Sequence, residues 1–296
     1  MKKMILFAVF FLAGAVVVPA QSAGDSVAAG TQEPEGPALE EFGSEDGNVV
    51  LKVYNDLLEG TGVKIYFYNE AGELIGQWKH DGLPIDQYKF PNKNGKYWVI
   101  QMCPHDYSGE KKRKRVFVLD SSGKEMGKFE TYAEVSGLPL QDTYFLLREG
   151  GVIRAHDLTG EIKWERKLSK GAEYQTESKI SPNGKYIVIL EGKDSVILLD
   201  RSGKELFKKK IHIENNKLGW SALFAKDVNN EGEISLVPTG NENRVIVLDR
   251  FGKIRLEKKV EFEAYHVIFS SEAVNTLIVE SREGKREIVR VEGQEK

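Results

Sequence analysis

The stretch VILLDRSGKELFKKKI, residues 196–211, reads as a single hairpin: four consecutive apolar residues, an Asp-led turn ending at Gly203, and a second strand dominated by lysine. A strand that is apolar on successive residues needs cover on both faces. A strand that mixes lysine with apolar residues suits an outer edge, where charge discourages pairing with other chains. The same unit recurs as VKIYFYNEAGELIGQWK (63–79), VFVLDSSGKEMGKFE (116–130), VIRAHDLTGEIKWERKL (152–168) and VIVLDRFGKIRLEKKV (245–260). Its turn glycines are Gly72, Gly123, Gly160, Gly203 and Gly252, so 180 residues are crossed in four steps of 45 on average.

A second piece lies upstream of the hairpins: SEDGNVVLKV from Ser44, FPNKNGKYWVI from Phe90 and SPNGKYIVIL from Ser181. Each is a Pro-, Asn- or Asp-containing turn followed by a strand. The two pieces together make a four-stranded antiparallel unit, here lettered A to D, and a step near 45 residues suits a β-propeller blade. The expected fold is therefore an all-β propeller of six blades, near 37–80, 85–130, 131–168, 173–211, 217–260 and 263–293. The last blade lacks a D strand of its own. Either a segment within Ser26–Gln32 supplies that strand or the blade has three strands. A plain β-sandwich would also give many short strands, whereas no segment keeps a helical period, which argues against α/β folds.

The chain resembles the broad WD-repeat-like and PQQ-like propeller superfamily over nearly everything after residue 36. Ser-Pro-Asn-Gly-Lys-Tyr at 181–186 is similar to the A–B turn of WD-repeat-like propellers, and His156 to Trp164 is similar to the C–D hairpin of PQQ-like repeats. The Gly-His and Trp-Asp pairs of true WD repeats are missing. Trp78 and Trp164 hold one recurring place on the D strands, which Phe129, Phe207 and Leu256 hold in the other blades. The resemblance implies the fold and little about activity.

Composition places the chain in a compartment. Lys2 and Lys3 precede an apolar run from Ile5 to Val18, and Val18-Pro19-Ala20 fits a cleavage site, so residues 1–20 read as an export signal. The run is shorter than the roughly 20 residues that span a bilayer, and no transmembrane span is expected once it is removed. Residues 21–36 read as an acidic spacer or a ring-closing strand, and 37–296 as one propeller domain. From residue 21 to 47 there are seven acids and no Lys or Arg. Cys103 is alone, so no internal disulfide is possible and stability must come from packing.

Two clusters are candidate sites. Lys111, Lys112, Arg113, Lys114 and Arg115 fall in the long B–C connection, on the end of a propeller where binding loops gather, and could meet an anionic surface. Export and the scarcity of nearby aromatic residues argue against nucleic acid. Asp227, Asn229 and Glu231, followed by Gly232, resemble the calcium loop of FG-GAP or VCBS propeller repeats, which implies Ca²⁺ as a possible cofactor. Pro238 stands where an EF-hand needs a bidentate Glu, and Ser235 replaces an expected Asp. The plain alternative is an A–B turn capped by Asp and Asn side chains.

No catalytic residue is assigned: the G-x-S-x-G, H-E-x-x-H and P-loop patterns do not occur. His80-Asp81, His105-Asp106 and His156-Asp157 are adjacent, but strand neighbours point to opposite faces. The expected function is an exported, non-catalytic binding or assembly module at the bacterial cell envelope, periplasmic or extracellular. Its expected partner is an envelope protein or an anionic surface polymer. The alternatives are a hydrolase or lyase with a metal or carboxylates in the central channel, and a calcium-stabilised adhesion propeller.

Overall fold

The computed structural model describes residues 40–43, 48–55, 62–81, 87–89, 96–102, 113–137, 143–170, 176–213, 223–238, 243–270, 273 and 275–291, all within the compact unit Pro34–Lys296. The export signal, the acidic spacer up to residue 36, the strand expected within Ser26–Gln32, Cys103, His105 and the cations Lys111 and Lys112 lie outside the described residues.

The described chain is all β, in six antiparallel sheets taken in sequence order. Blade 1 holds β1 (Glu40–Gly43), β2 (Val49–Asn55), β3 (Gly62–Asn69) and β4 (Leu74–Asp81). Blade 2 holds β5 (Gln87–Lys89), β6 (Tyr97–Met102), β7 (Lys114–Asp120) and β8 (Glu125–Thr131). In blade 3 these are β9 (Glu134–Gly137), β10 (Tyr144–Glu149), β11 (Val152–Asp157) and β12 (Ile162–Lys167). Blade 4 runs through β13 (Thr176–Ile180), β14 (Tyr186–Glu191), β15 (Ser195–Asp200) and β16 (Glu205–Lys210). Blade 5 follows with β17 (Leu223–Val228), β18 (Ile234–Pro238), β19 (Arg244–Leu248) and β20 (Ile254–Lys259). The last sheet has three described strands, β21 (His266–Phe269), β22 (Thr276–Glu280) and β23 (Arg286–Arg290). The fold class and the place of the short last sheet agree with the sequence reading.

The C–D turns explain the recurring Asp-x-x-Gly. In blade 4 the Asp200 carboxylate accepts from the Ser202 N–H (2.9 Å), the Ser202 hydroxyl (2.6 Å) and the Lys204 N–H (3.0 Å). Asp120, Asp157 and Asp249 cap their turns in the same way. Gly203 sits at φ 82°, where a side chain is disfavoured, and the ladder shifts register beside it between Leu198 and Leu199.

In blades 2 to 5 the B and C strands are largely buried on both faces, because each interface between neighbouring blades is an apolar core. Five such cores join blades 1 to 2, 2 to 3, 3 to 4, 4 to 5 and 5 to 6. Each core contains one bulky D-strand residue, in order Trp78, Phe129, Trp164, Phe207 and Leu256. Three of them lie on the turn glycine of the next blade: Phe129 on Gly160, Trp164 on Gly203 and Phe207 on Gly252. The recurring D-strand position is thus the bolt that locks a blade to the turn of its neighbour.

Candidate site at the channel mouth

An up-and-down sheet puts its B–C turn and its connection to the next blade at one end, and its A–B and C–D turns at the other. The innermost strands of blades 4, 5 and 6 (β13, β17 and β21) begin at the first of these ends. On β17, Leu223 and Ala225 face blade 4 and are buried, which leaves Phe224 and Lys226 on the other face. Phe224 remains 40% exposed and Tyr265, just before β21, 42% exposed.

These residues form a cluster of cations on aromatic rings. The Lys226 ammonium lies 5.1 Å from the centre of the Phe224 ring and 5.6 Å from that of Tyr265. Arg282, from the turn between β22 and β23, stands 4.8 Å from the same Tyr265 ring, and His266 packs edge-on against it at 4.6 Å. Among the described residues neither Lys226 nor Arg282 has a carboxylate within ion-pair distance; the ring faces offset their charge, helped at longer range by Glu177 and Glu263 in the case of Lys226. Burial pulls the Lys226 pKa below its ordinary value; Glu177 and Glu263 oppose that shift, while the positive charges of Lys179 and Arg282 add to it. A half-buried ammonium destabilised by two like charges gains from an incoming anion.

Deeper in the same wall, burial raises the Glu177 pKa, with Lys179 only partly offsetting it, and one carboxylate oxygen is buried without a hydrogen-bond partner. Asp227 is a structural tie. Its carboxylate accepts from the N–H of Val228 at 2.8 Å and from that of Phe269 at 2.9 Å, stitching β17 to β21.

Of the residues proposed from the calcium-like pattern, Asp227 lies on β17, and Asn229 and Glu231 lie in the A–B turn that follows it. Asn229 caps the N–H groups of Glu231 and Glu233, Asp227 binds two backbone N–H groups, and Glu231 is exposed. Among the described residues no three His, Cys, Asp or Glu side chains are grouped to hold a metal ion. Of the basic run, Arg113 lies 5.5 Å from the Tyr132 ring. β7 begins at Lys114, so Lys114 and Arg115 belong to a strand and not to a loop. Lys114 pairs with Glu134 at 2.9 Å and Arg115 with Glu130 at 3.5 Å. The structure brings none of these residues to the cluster on Tyr265.

Two other surfaces stand out. A cleft of about 670 Å³ between blades 3 and 4 is lined by Tyr144, Asp157, Lys163, Trp164, Lys185 and Arg201. Its two carboxylates are committed: Asp157 caps its turn and meets Lys163 at 2.8 Å, and Asp200 caps the next turn. Phe251, 74% exposed beneath Arg250, marks a C–D turn at the opposite end of the sheets from Tyr265.

Sequence reading missed Phe224, Lys226, Tyr265 and Arg282, because they come from three separate segments. The one local signal was Leu-Phe-Ala-Lys at 223–226, where a bulky aromatic falls on the face of an inner strand opposite to the buried one.

No family model matches the chain, and no curated protein matches it. Solved structures do. Hsv2 from Kluyvelomyces marxianus superposes with a TM-score of 0.54 at 13% identity, covering 88% of this chain and 74% of that one. The Dos1 propeller gives 0.53 at 13%, covering 83% and 66%. The C-terminal WD40 domain of Sif2 gives 0.52 at 13%, covering 86% and 66%. BamB from Moraxella catarrhalis aligns over 82% of this chain and 70% of its own at 14% identity, with a TM-score of 0.48. The likeness to WD-repeat-like propellers is borne out at the level of fold, and at these identities it speaks for fold alone.

Proposed function

We propose that the chain is an exported, non-catalytic binding module of the bacterial cell envelope, and that it holds an acidic segment of a partner protein at the mouth of its channel. The observation that carries this reading is the pair Lys226 and Arg282, both set on the Tyr265 ring and neither in an ion pair with a described carboxylate. Catalysis by carboxylates would need acids to converge with free oxygens. Here Asp227 is held by backbone N–H groups, Glu177 is buried beside Lys179 and Lys226, and the cations Lys226 and Arg282 are set on the exposed Phe224 and Tyr265. Two cations at a partly buried site favour carboxylate groups by charge, and the flanking Phe224 and Tyr265 supply the apolar contact typical of protein-binding surfaces.

The test is direct binding of a fluorescein-labelled octaglutamate peptide to the purified mature protein at low salt. Binding is expected to weaken with ionic strength and to fall about tenfold or more when Lys226→Ser and Arg282→Ser are combined. Binding that is indifferent to both changes would remove the proposal.

A further inference from the structure

Among the described residues no strand lies beyond β23, so the C strand of blade 6 forms the edge of its sheet, and its chemistry differs from that of the other C strands. In blades 1 to 5 the C strand carries a residue, facing the next blade, that lies directly across from the bulky D-strand residue. These pairs are Ile65 with Trp78, Val116 with Phe129, Ala155 with Trp164, Leu198 with Phe207 and Val247 with Leu256. The five C-strand members are at most 1% exposed. The counterpart on β23 is Ile288, since its neighbour Val289 faces blade 5. Ile288 is 65% exposed. It ends a stripe with Ile278 and Ile268, paired across the sheet, of which Ile268 is also exposed at 45%. A matching gap exists on blade 1: the turn glycine Gly72, at φ 77°, meets no described atom where Gly160, Gly203 and Gly252 meet an aromatic ring.

We propose that an extended segment of a partner protein adds to β23 as the fourth strand of blade 6, bringing a bulky apolar residue beside Ile288 and acids on either side of it. This rests on reading the chain as a binding module and names how a partner docks. An exposed strand edge offers a row of backbone donors and acceptors that an incoming strand can satisfy, with side chains at alternate positions setting specificity. The charges specify the flanks. Arg286 and Arg290 lie two residues before and after Ile288 on the same face. Arg286 is half exposed and reaches only Glu280, at 3.4 Å. Arg290 is exposed, and Lys285 and Arg282, with Glu283 between them, leave the turn past the top of the strand net positive. An acid–x–apolar–x–acid pattern therefore complements this edge. The chain's own Ser26–Gln32, SVAAGTQ, fits it poorly: it has no acid and no apolar residue bulkier than Val27.

The experiment uses the purified mature chain and a capped peptide, Thr-Val-Asp-Thr-Phe-Thr-Asp-Val-Thr, with a version N-methylated at alternate residues as control. Binding is read by calorimetry and by hydrogen exchange of the amides in residues 286–290. In the free chain, the outward-pointing amides of β23 should exchange much faster than those of β22, and saturating peptide should slow them more than tenfold. Ile288→Asp, an exposed change whose fold is checked by its thermal melt, should weaken binding about tenfold or more, and the N-methylated peptide should not bind. Four results overturn the proposal: no binding at about 5 mM peptide; equal binding by Ile288→Asp or by the N-methylated peptide; β23 amides already protected in the free chain, which would assign the edge to the chain's own segment; or a dimer that Ile288→Asp dissociates. If Lys226→Ser, which leaves every cation named for the edge in place, abolishes binding of this peptide, it sits at the channel mouth. The edge proposal then fails while the mouth reading survives; unchanged binding in that variant separates the two.

Discussion

Changing Gly203 to Ala tests the blade-to-blade bolt more sharply than any large core truncation. A methyl group at position 203 would stand 2.7 Å from the nearest carbon of the Trp164 indole, with further ring atoms at 2.9 and 3.2 Å. The glycine also sits at φ 82°. The backbone term alone is about 1–2 kcal/mol for a side chain in the left-handed region. Displacing a packed indole adds about 1–3 kcal/mol of overpacking, so the expected loss is about 2–5 kcal/mol. Gly192→Ala is the matched control: its φ is 70°, yet nothing lies within 4 Å of the added methyl, and it should cost about 1–2 kcal/mol from the backbone term alone. Urea unfolding of both variants gives the difference. Combining Gly203→Ala with Trp164→Leu should recover at least about 1 kcal/mol relative to the sum of the single changes, because the smaller side chain removes the clash. Equal losses for Gly203→Ala and Gly192→Ala, with additive behaviour in the double variant, would refute the idea that the D-strand residue and the next turn lock together.

Three further outcomes follow from the same structure. His156 is buried against the rings of Phe129 and Phe145 and donates through Nδ1 to the Gly160 carbonyl at 2.9 Å, and burial holds its pKa below the ordinary value. The unfolded chain therefore takes up a proton that the folded chain refuses. Stability should fall as pH drops below about 6.5 and approaches the lower folded value, and His156→Phe should flatten that limb in pH-dependent urea titrations. Burial alone would raise the Asp157 pKa, but Lys163, the Thr159 hydroxyl and two turn N–H groups outweigh it and bring it to about 2. Its stabilisation is complete above the ordinary aspartate value and is lost as pH falls through about 2; Asp157→Asn should remove this acid dependence, read by the same titrations. Asp227→Ala should cost about 1–3 kcal/mol, because it leaves the Phe269 N–H without its acceptor and unties β17 from β21; thermal unfolding reads the loss.

Much of this fold could be read from the chain because the outer half of each blade repeats. The C–D hairpin needs an Asp cap, a glycine at positive φ and a bulky D-strand residue for the next blade, and those needs recur at Asp120, Asp157, Asp200 and Asp249. The inner strands repeat far less. β9, β13, β17 and β21 are four to six residues long and share no common motif. Their outward residues answer to the channel and not to a core. That is why the mouth cluster was hidden while the hairpins were plain. The basic run attracted notice because it is contiguous, yet a strand start at Lys114 and ion pairs to Glu134 and Glu130 absorb two of its members. The run around Asp227 attracted notice through its oxygens, and the A–B turn and the tie to β21 use the oxygens of Asp227 and Asn229.

The most direct test of the binding account is site-specific photocrosslinking in cells, with the crosslinker placed in turn at Tyr265 and at Phe251. Both positions are exposed, and they lie at opposite ends of the sheets. The account predicts a discrete adduct with a protein partner from position 265, lost when Lys226→Ser and Arg282→Ser are combined, and no such adduct from position 251. An adduct from position 251 alone, or one from 265 that persists without the two cations, would contradict it.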